Sequence, residues 1–360
     1  MNLFILLTIP LIISGAAFAL FKVTITWKEF LLHVGVAVVL VLGTWQLARW
    51  NSMSDTEHWN GRITDKDNGT EGCCHSYKCN CETCTETDAK GNVTTYECNC
   101  QTCYEHIYDY WWQLDFSTGD RIHDGCNGSG SEPGWWHRAY VGEPASLPHS
   151  YTNYLKADPD SLFVKEAPEH LLAQVPDFPE IEGRYHVRKI VEDGVKAPSG
   201  WQPALEILNA DLGSKKQVDL TVVLTKSNDP DYAYALERKW LYGPKNAFIV
   251  VLGVPDGKTI RWARGVTISK VEPLKIHVRE YFEGKPLDDP AHIHFLRDSI
   301  EVNFHRLSMS EFEYLAASAE PKGWALFFLY FVNLAISIGL AILMHKQDVF
   351  GDERRVAWRL

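Results

Sequence analysis

Nine cysteines lie between Cys73 and Cys126, and the rest of the 360-residue chain has none. Within that segment one unit occurs twice at a 19-residue offset, Tyr77-Lys-Cys-Asn-Cys-Glu-Thr-Cys84 and Tyr96-Glu-Cys-Asn-Cys-Gln-Thr-Cys103. A duplicated Cys-x-Cys-x-x-Cys unit implies cysteines that act in concert, and two chemistries compete for them. In an oxidising compartment, the eight that precede Cys126, Cys73 and Cys74 among them, would form up to four disulfides, stapling a segment with little apolar sequence. Alternatively, eight thiolates, or six with His75 and His106, would build two tetrahedral zinc sites. The candidate ligands are Cys74, Cys79, Cys81, Cys84, Cys98, Cys100 and Cys103, with His75 directly after Cys74 and His106 three residues after Cys103. Cys-x-Cys spacing departs from the usual Cys-x-x-Cys knuckle. The topology read below favours disulfides, and clustering with histidine favours metal. A redox-active pair is a third use. No further group nearby completes a nucleophile–base arrangement for a catalytic thiol.

Other residues could carry chemistry singly. His292 and His294 stand two apart, with Asp298 a turn later and His305 beyond. On a helix, positions i and i+2 face different sides, so exposed surface histidines are expected. Asp229, Asp231, Asp256 and Asp288-Asp289 fall near predicted strand ends or loops, where open α/β sheets place ligands. For Asp229 and Asp231, helix N-terminal capping is the simpler expectation. P-loop, G-x-G-x-x-G, H-E-x-x-H and G-x-S-x-G motifs are absent from the sequence. A net charge of −11, from 46 acidic against 35 basic residues, argues against nucleic acid as a partner.

The elements that must position the cysteines read as β. Trp59 to Thr64 precedes the cluster and Tyr108 to Phe116 follows it, both aromatic or β-prone and bounded by turn residues. The cysteines should therefore cap a long hairpin, with Trp111-Trp112 and Trp135-Trp136 as core or sheet-face residues. From Asn51 to Cys126 there are fourteen acidic and five basic residues, a net of −9, the composition of a solvated segment.

Three stretches without charge, residues 1–21, 30–48 and 323–344, are long enough to cross a hydrocarbon core as helix. Trp27 and Lys28, Arg49 and Trp50, and Lys322 and Trp324 read as interface anchors. Lys22 and Lys28 in the first loop and Lys346, Arg354, Arg355 and Arg359 in the tail mark one side as cytoplasmic by the positive-inside rule. Everything from Arg49 to Lys322 then lies on the other side, periplasmic or extracellular. Ala17-Phe18-Ala19 resembles a signal-peptidase site, but a basic n-region is missing, so the first span is read as retained.

Beyond Trp201 the pattern alternates. Helices are expected over 203–212, 229–240 and 290–304. Strands are expected at Val218 to Thr225 and at the apolar run Ala247 to Val254, with a turn at Pro255-Asp-Gly-Lys258 leading into Thr259 to Ala263. Alternation of this kind implies an α/β sandwich. The stretch from Trp201 to about Leu315 resembles the TPM domain, a family of membrane-tethered proteins facing thylakoid lumen, periplasm or cell exterior. The resemblance is carried by Leu205-Glu-Ile-Leu208, Val218 to Val223, Asp231-Tyr-Ala233 leading to Trp240 and Gly243, Asn246 with Phe248 to Leu252, and Leu296-Arg-Asp298. It implies a β-α-β-α-β core beside a spanning helix and a role in maintaining membrane complexes; phosphatase activity is attributed to some members, and calcium or magnesium would be expected here only with that activity. Where the family usually has Asp-Asn-Gly before the third strand, with the acidic residue linked to metal, this chain has Lys245-Asn246-Ala247. The Ser54-Asp-Thr-Glu-His-Trp-Asn-Gly61 segment also resembles uncharacterised phage-encoded membrane proteins.

The reading is a multi-span α-helical membrane anchor with an α+β ectodomain, a β-rich Cys-capped hairpin subdomain plus a TPM-like α/β sandwich. Spans are expected at 1–22, 29–49 and 323–345. The β-rich domain covers 50–165 with its Cys-rich insert at 73–126, a linker covers 166–200, the α/β domain 201–320, and a cytoplasmic tail 346–360. The expected partners are the lipid bilayer and a membrane protein that the ectodomain binds or stabilises. The alternatives are a metal-dependent phosphohydrolase and a zinc-binding interaction module.

Overall fold

The computed structural model describes residues 2–21, 25–87, 91–127, 132–157, 167–240, 245–269, 271–321 and 323–346. In chain order, helices α1 (Asn2–Leu20) and α2 (Trp27–Met53) lead into strand β1 (Ser54–Gly72). Four short strands follow, β2 (Ser76–Cys79), β3 (Glu82–Thr87), β4 (Val93–Cys98) and β5 (Gln101–Tyr104), then β6 (Tyr108–Phe116) and β7 (Arg121–Asn127). Helix α3 (Gly134–Arg138), strand β8 (Pro144–Thr152), helix α4 (Glu169–Leu172) and strands β9 (Ile181–Glu182) and β10 (His186–Val187) connect to the α/β part. That part comprises β11 (Ile190–Asp193), α5 (Trp201–Lys216), β12 (Asp219–Thr225), α6 (Tyr232–Lys239), β13 (Ala247–Gly253), β14 (Trp262–Val266), α7 (Glu272–Phe282) and α8 (Ala291–Asn303). Helix α9 (Gly323–Lys346) is the last described element.

The chain forms two compact units: Met1–Thr56 with Ser150–Val164 and Ser308–Leu360, and Glu57–His149 with Lys165–Leu307. In the first, α1, α2 and α9 are each long and apolar enough to cross a membrane. They pack on one another through Leu6, Val41, Trp45 and Leu329. Most of their remaining apolar surface is exposed, as lipid-facing helices require. Helix α2 starts with a reciprocal capping box between Thr26 and Glu29, which satisfies amides that the helix itself leaves unpaired. Trp27, Trp50 and Trp324 are 57%, 61% and 74% exposed at helix ends, where interface anchors would sit. The rings of Phe21 and His345 lie 4.3 Å apart, so α1 and α9 end side by side. Lys22 of the first loop, Gly243, the anchor Lys322 and the tail arginines lie outside the described residues.

The second unit holds a four-stranded sheet, β7-β6-β1-β8, and another, β11-β12-β13-β14. Strands β12 and β13 are buried at every residue, as continuous apolar runs demand, and pair in parallel from Asp219↔Ala247 to Thr225↔Gly253. Alternate side chains divide the core. Val222, Leu224, Val250 and Leu252 face α5, α7 and α8, while Val223, Ile249 and Val251 face α6. Helices α5, α6 and α8 match the expected helical segments within a few residues.

Two features depart from the sequence reading. Residues 166–200, expected as a linker, contain β11, which pairs in parallel with β12 (Ile190↔Val222) and completes the sheet; four residues between glycines and prolines are too short to show a period. The β-rich and α/β parts, expected as separate domains, share one unit. Strand β1 crosses α5 so closely that a Cβ on Gly213 would lie 2.1 Å from the Asn60 carbonyl oxygen.

Candidate functional site

Strands β1 and β6 make the expected hairpin, in register from Ile63↔Phe116 to Gly72↔Tyr108. Beyond Gly72 and Tyr108 the two chains leave the ladder for three residues each. They re-pair as β2 and β5 (Ser76↔Tyr104 to Cys79↔Gln101) and, further out, as β3 and β4 (Glu82↔Cys98 to Thr87↔Val93). No residue of β2 to β5 is buried. This arm has no apolar core, so covalent links must hold it.

All nine cysteines are described, and eight lie in four pairs at disulfide distance: Cys74 with Cys126, Cys79 with Cys103, Cys81 with Cys100, and Cys84 with Cys98. Of the two readings left open by the sequence, the spacing of Cys74, Cys79, Cys81, Cys84, Cys98, Cys100 and Cys103 matches the disulfide one. The pairing explains the repeat. Antiparallel strands bring the first cysteine of one unit to the last of the other and the middle cysteines to each other. A local two-fold through Cys81–Cys100 therefore exchanges the two units. Cα separations obey it, 5.8 Å for both outer pairs. Cys74–Cys126 ties the base of the arm to the end of β7.

Cys73 is left unpaired and buried. It meets His75, His106 and Asp109 where the ladder is interrupted, one ligand-type atom from each lying within 4.8 Å of all the others. His106 Nε2 is 2.5 Å and His75 Nδ1 3.3 Å from Asp109 Oδ1. The other carboxylate oxygen, Oδ2, accepts the Cys74 amide at 2.7 Å. The Asp109 side chain is fully buried while both imidazoles are about a third exposed. The hydrogen bond from His106, with the Cys74 amide and the charge of both histidines, holds the Asp109 carboxyl below its ordinary range. Cys73 Sγ makes only long contacts, 3.7 Å to the His75 carbonyl and 4.0 Å to His75 Nδ1. The sequence reading named both histidines; Asp109 lay outside it.

A second constellation was invisible in the sequence. Lys189, 1% exposed, places Nζ 2.6 Å from Asp219 Oδ1 and 2.9 Å from Asn60 Oδ1. His58 Nδ1 is 3.1 Å from Asp219 Oδ2, and Asn60 Nδ2 donates to Asp219 Oδ1 at 3.0 Å. Burial alone would raise the Asp219 pKa, but Lys189 and His58 override it and hold the carboxyl well below the carboxylate range. Asn246 donates to the His58 carbonyl at 2.7 Å. Asn246 is thereby tied to β1, and the network bolts the two sheets together.

The remaining acidic candidates are engaged locally. Asp256 Oδ1 accepts the Lys258 and Thr259 amides, Asp229 the Asp231 amide and Asp289 the Ala291 amide. At the carboxyl end of the parallel strands, Asp193 Oδ2 accepts from Thr225 Oγ1 at 2.7 Å. Among the described residues, the groups of three or more ligand-type side chains all fall in the cysteine arm. His294, Asp298 and His305 are exposed. His292, expected at the surface, is instead buried, its Nε2 2.8 Å from the Pro286 carbonyl and its ring among Trp201, Tyr281 and Phe282. Its face of α8 is the core face, which the i, i+2 spacing alone does not reveal.

Comparison with protein-family models, curated proteins and solved structures finds no match to this chain.

Proposed function

We propose that the chain is a membrane-anchored envelope protein whose non-cytoplasmic domain binds or stabilises a membrane-associated partner through the cysteine arm. The observation that carries this is a covalently stapled arm that exposes tyrosines on both of its faces and at its base on β6. Tyr77, Tyr96, Tyr104, Tyr108 and Tyr110 are between 46% and 63% exposed, and Ile107 is 76% exposed. Tyrosine is enriched at interfaces because it offers large contact area and a polar tip for little conformational entropy. Disulfides pre-organise such a surface and lower the cost of ordering it on binding.

Disulfide pairing supports an oxidising, non-cytoplasmic side for this domain. The adjacent ends of α1 and α9 support placing the first loop and the tail on a common, cytoplasmic side. The order β11-α5-β12-α6-β13 supports the TPM-like reading of the α/β part, whose family role is upkeep of membrane complexes.

Protease treatment of intact spheroplasts tests the topology. The domain between α2 and α9 should be degraded and a C-terminal epitope tag protected; the reverse pattern rejects the proposal. A photo-crosslinker replacing Tyr77 or Tyr104 should then give a discrete adduct with a membrane protein. Absence of adducts from Tyr77, Tyr96, Tyr104 and Tyr108 in correctly oriented protein removes the partner reading.

A further inference from the structure

We propose that Cys73, His75, His106 and Asp109 form a zinc-class cation site that locks the joint between the cysteine arm and the sheet it grows from. Cys73, His75 and His106 come from the two short segments where the β1–β6 ladder has ended and the β2–β5 ladder has not begun, and Asp109 stands at the end of β6 beside them, opposite Glu71. The β1–β6 ladder is unbroken from Asp65↔Asp115 to Gly72↔Tyr108, the β2–β5 ladder is regular, and the arm itself is cross-linked, so this interruption is where the arm would bend. Two backbone bonds also bridge it, Cys73 N–H to the Ile107 carbonyl at 3.3 Å and Glu105 N–H to the His75 carbonyl at 3.1 Å.

The donor set selects the metal. One thiolate, two imidazoles and one carboxylate suit zinc and its neighbours, whereas calcium and magnesium require oxygen ligands. The spacing is close to what zinc needs. With bonds of about 2.0–2.3 Å, tetrahedral ligand atoms stand roughly 3.3–3.8 Å apart. Here His75 Nδ1 to Asp109 Oδ1 is 3.3 Å, Cys73 Sγ to His75 Nδ1 is 4.0 Å, and His106 Nε2 to Asp109 Oδ1 is 2.5 Å. Small side-chain rotations complete the shell. The Cys74 amide on Oδ2 fixes the carboxylate so that Oδ1 faces both imidazoles, the kind of outer hydrogen bond that orients a metal ligand.

Charge and access agree with this assignment. A thiolate and a carboxylate neutralise a divalent cation, so the buried site carries no net charge once the Cys73 thiol has released its proton to solvent. Without a metal, the buried Cys73 sulfur has only long, weak contacts. The partly exposed imidazoles leave a route from solvent. The same ligation explains how one thiol could stay reduced beside four disulfides, because a metal-bound thiolate is shielded from oxidation and exchange.

The full-length chain in detergent micelles, disulfides intact, provides the test. Cobalt(II) added to the chelator-treated protein should give one equivalent of binding with sulfur-to-cobalt charge-transfer absorption, bleached by zinc. Cys73 alkylation should be slow with zinc and fast with chelator. Cys73→Ser, His106→Ala and Asp109→Asn should each weaken cobalt binding at least about tenfold. Mass analysis of the non-reduced variants, showing eight blocked thiols, confirms that the arm still forms. If wild-type Cys73 alkylates equally fast with zinc and with chelator, or cobalt binds without the sulfur band, the site does not exist. Undiminished affinity in Cys73→Ser with all disulfides formed places the metal elsewhere and equally overturns the proposal. None of these results bears on membrane topology or on cross-linking through the tyrosines, so the partner-binding reading stands or falls separately.

Discussion

Asn80 and Asn99, equivalent residues of the two cysteine repeats, share one conformation and one bonding pattern. Both have left-handed backbones, φ 48° and 49°, a region in which asparagine is tolerated far better than most side chains. Asn80 Nδ2 donates to Gln101 Oε1 at 3.1 Å and Asn99 Nδ2 to Glu82 Oε2 at 2.7 Å, and Glu82 and Gln101 are themselves repeat equivalents. The symmetry of the cysteine pairs thus extends to the polar residues between them. A tandem duplication in sequence has become a two-fold in space because the two copies pair antiparallel.

That pairing makes a chemical prediction. Under non-reducing, denaturing conditions a single thiol, Cys73, should react with an alkylating reagent. The double substitution Cys81→Ser with Cys100→Ser should then destabilise the arm by about 2–4 kcal/mol. Amide exchange would accelerate in 76–104 and stay unchanged in β12 and β13. Acceleration in the α/β sheet, or none anywhere, contradicts the arm as a separately stapled element.

Lys189 and Asp219 form a buried pair, so removing one partner strands the other's charge. Lys189→Met should cost about 3–5 kcal/mol in denaturant unfolding, and adding Asp219→Leu should recover part of it. Because the folded Asp219 pKa is depressed, its contribution is full above the unfolded carboxyl value of about 4 and is lost as pH falls below it. A Lys189→Met protein as stable as wild type at neutral pH rules out the buried pair.

His292 acts in a different pH window. Burial lowers its pKa, with the Pro286 carbonyl opposing part of that effect. The unfolded chain therefore takes up a proton near pH 6.5 that the folded chain resists, and stability should decline as pH drops through that value. A tenfold difference in proton affinity between the folded and unfolded chains is worth about 1.4 kcal/mol. His292→Gln, which retains a donor toward Pro286 without titrating, should flatten the stability profile between about pH 5 and 7, measured by thermal unfolding at each pH. An unchanged slope assigns the dependence to other groups.

Gly213 tests the union of the two sheets. Alanine is the better helix former by about 1 kcal/mol, yet its Cβ would meet the Asn60 backbone. Gly213→Ala should therefore lower stability, by about 1–3 kcal/mol as in other overpacked sites. A stabilised variant would show that β1 does not press on α5.

Much of this architecture is legible one residue at a time. The three apolar helices follow from uncharged runs of sufficient length, and β12 and β13 follow from unbroken apolar stretches between turn signals. The long hairpin follows from β-prone segments on either side of the cysteines. These signals are local, because hydrophobicity and turn chemistry act over a few neighbours. The choice between metal and disulfide was not local. It depended on which sulfurs antiparallel pairing brought together, and that pairing left Cys73 over.

Residues 166–200 hid a strand of the main sheet because β11 is only four residues long and takes its order from β12. Lys189 and Asp219 stand 30 positions apart and share no motif. Only packing of β1 across the sheet encloses them with His58 and Asn60. Likewise Cys73, His75, His106 and Asp109 share no motif spacing; they meet because two strands leave their ladder at the same point. The sequence by itself determined the long apolar helices, most of the strands and the supply of reactive side chains. The tertiary structure alone decided which of those side chains face each other, since that depends on strand pairing and burial between residues far apart along the chain.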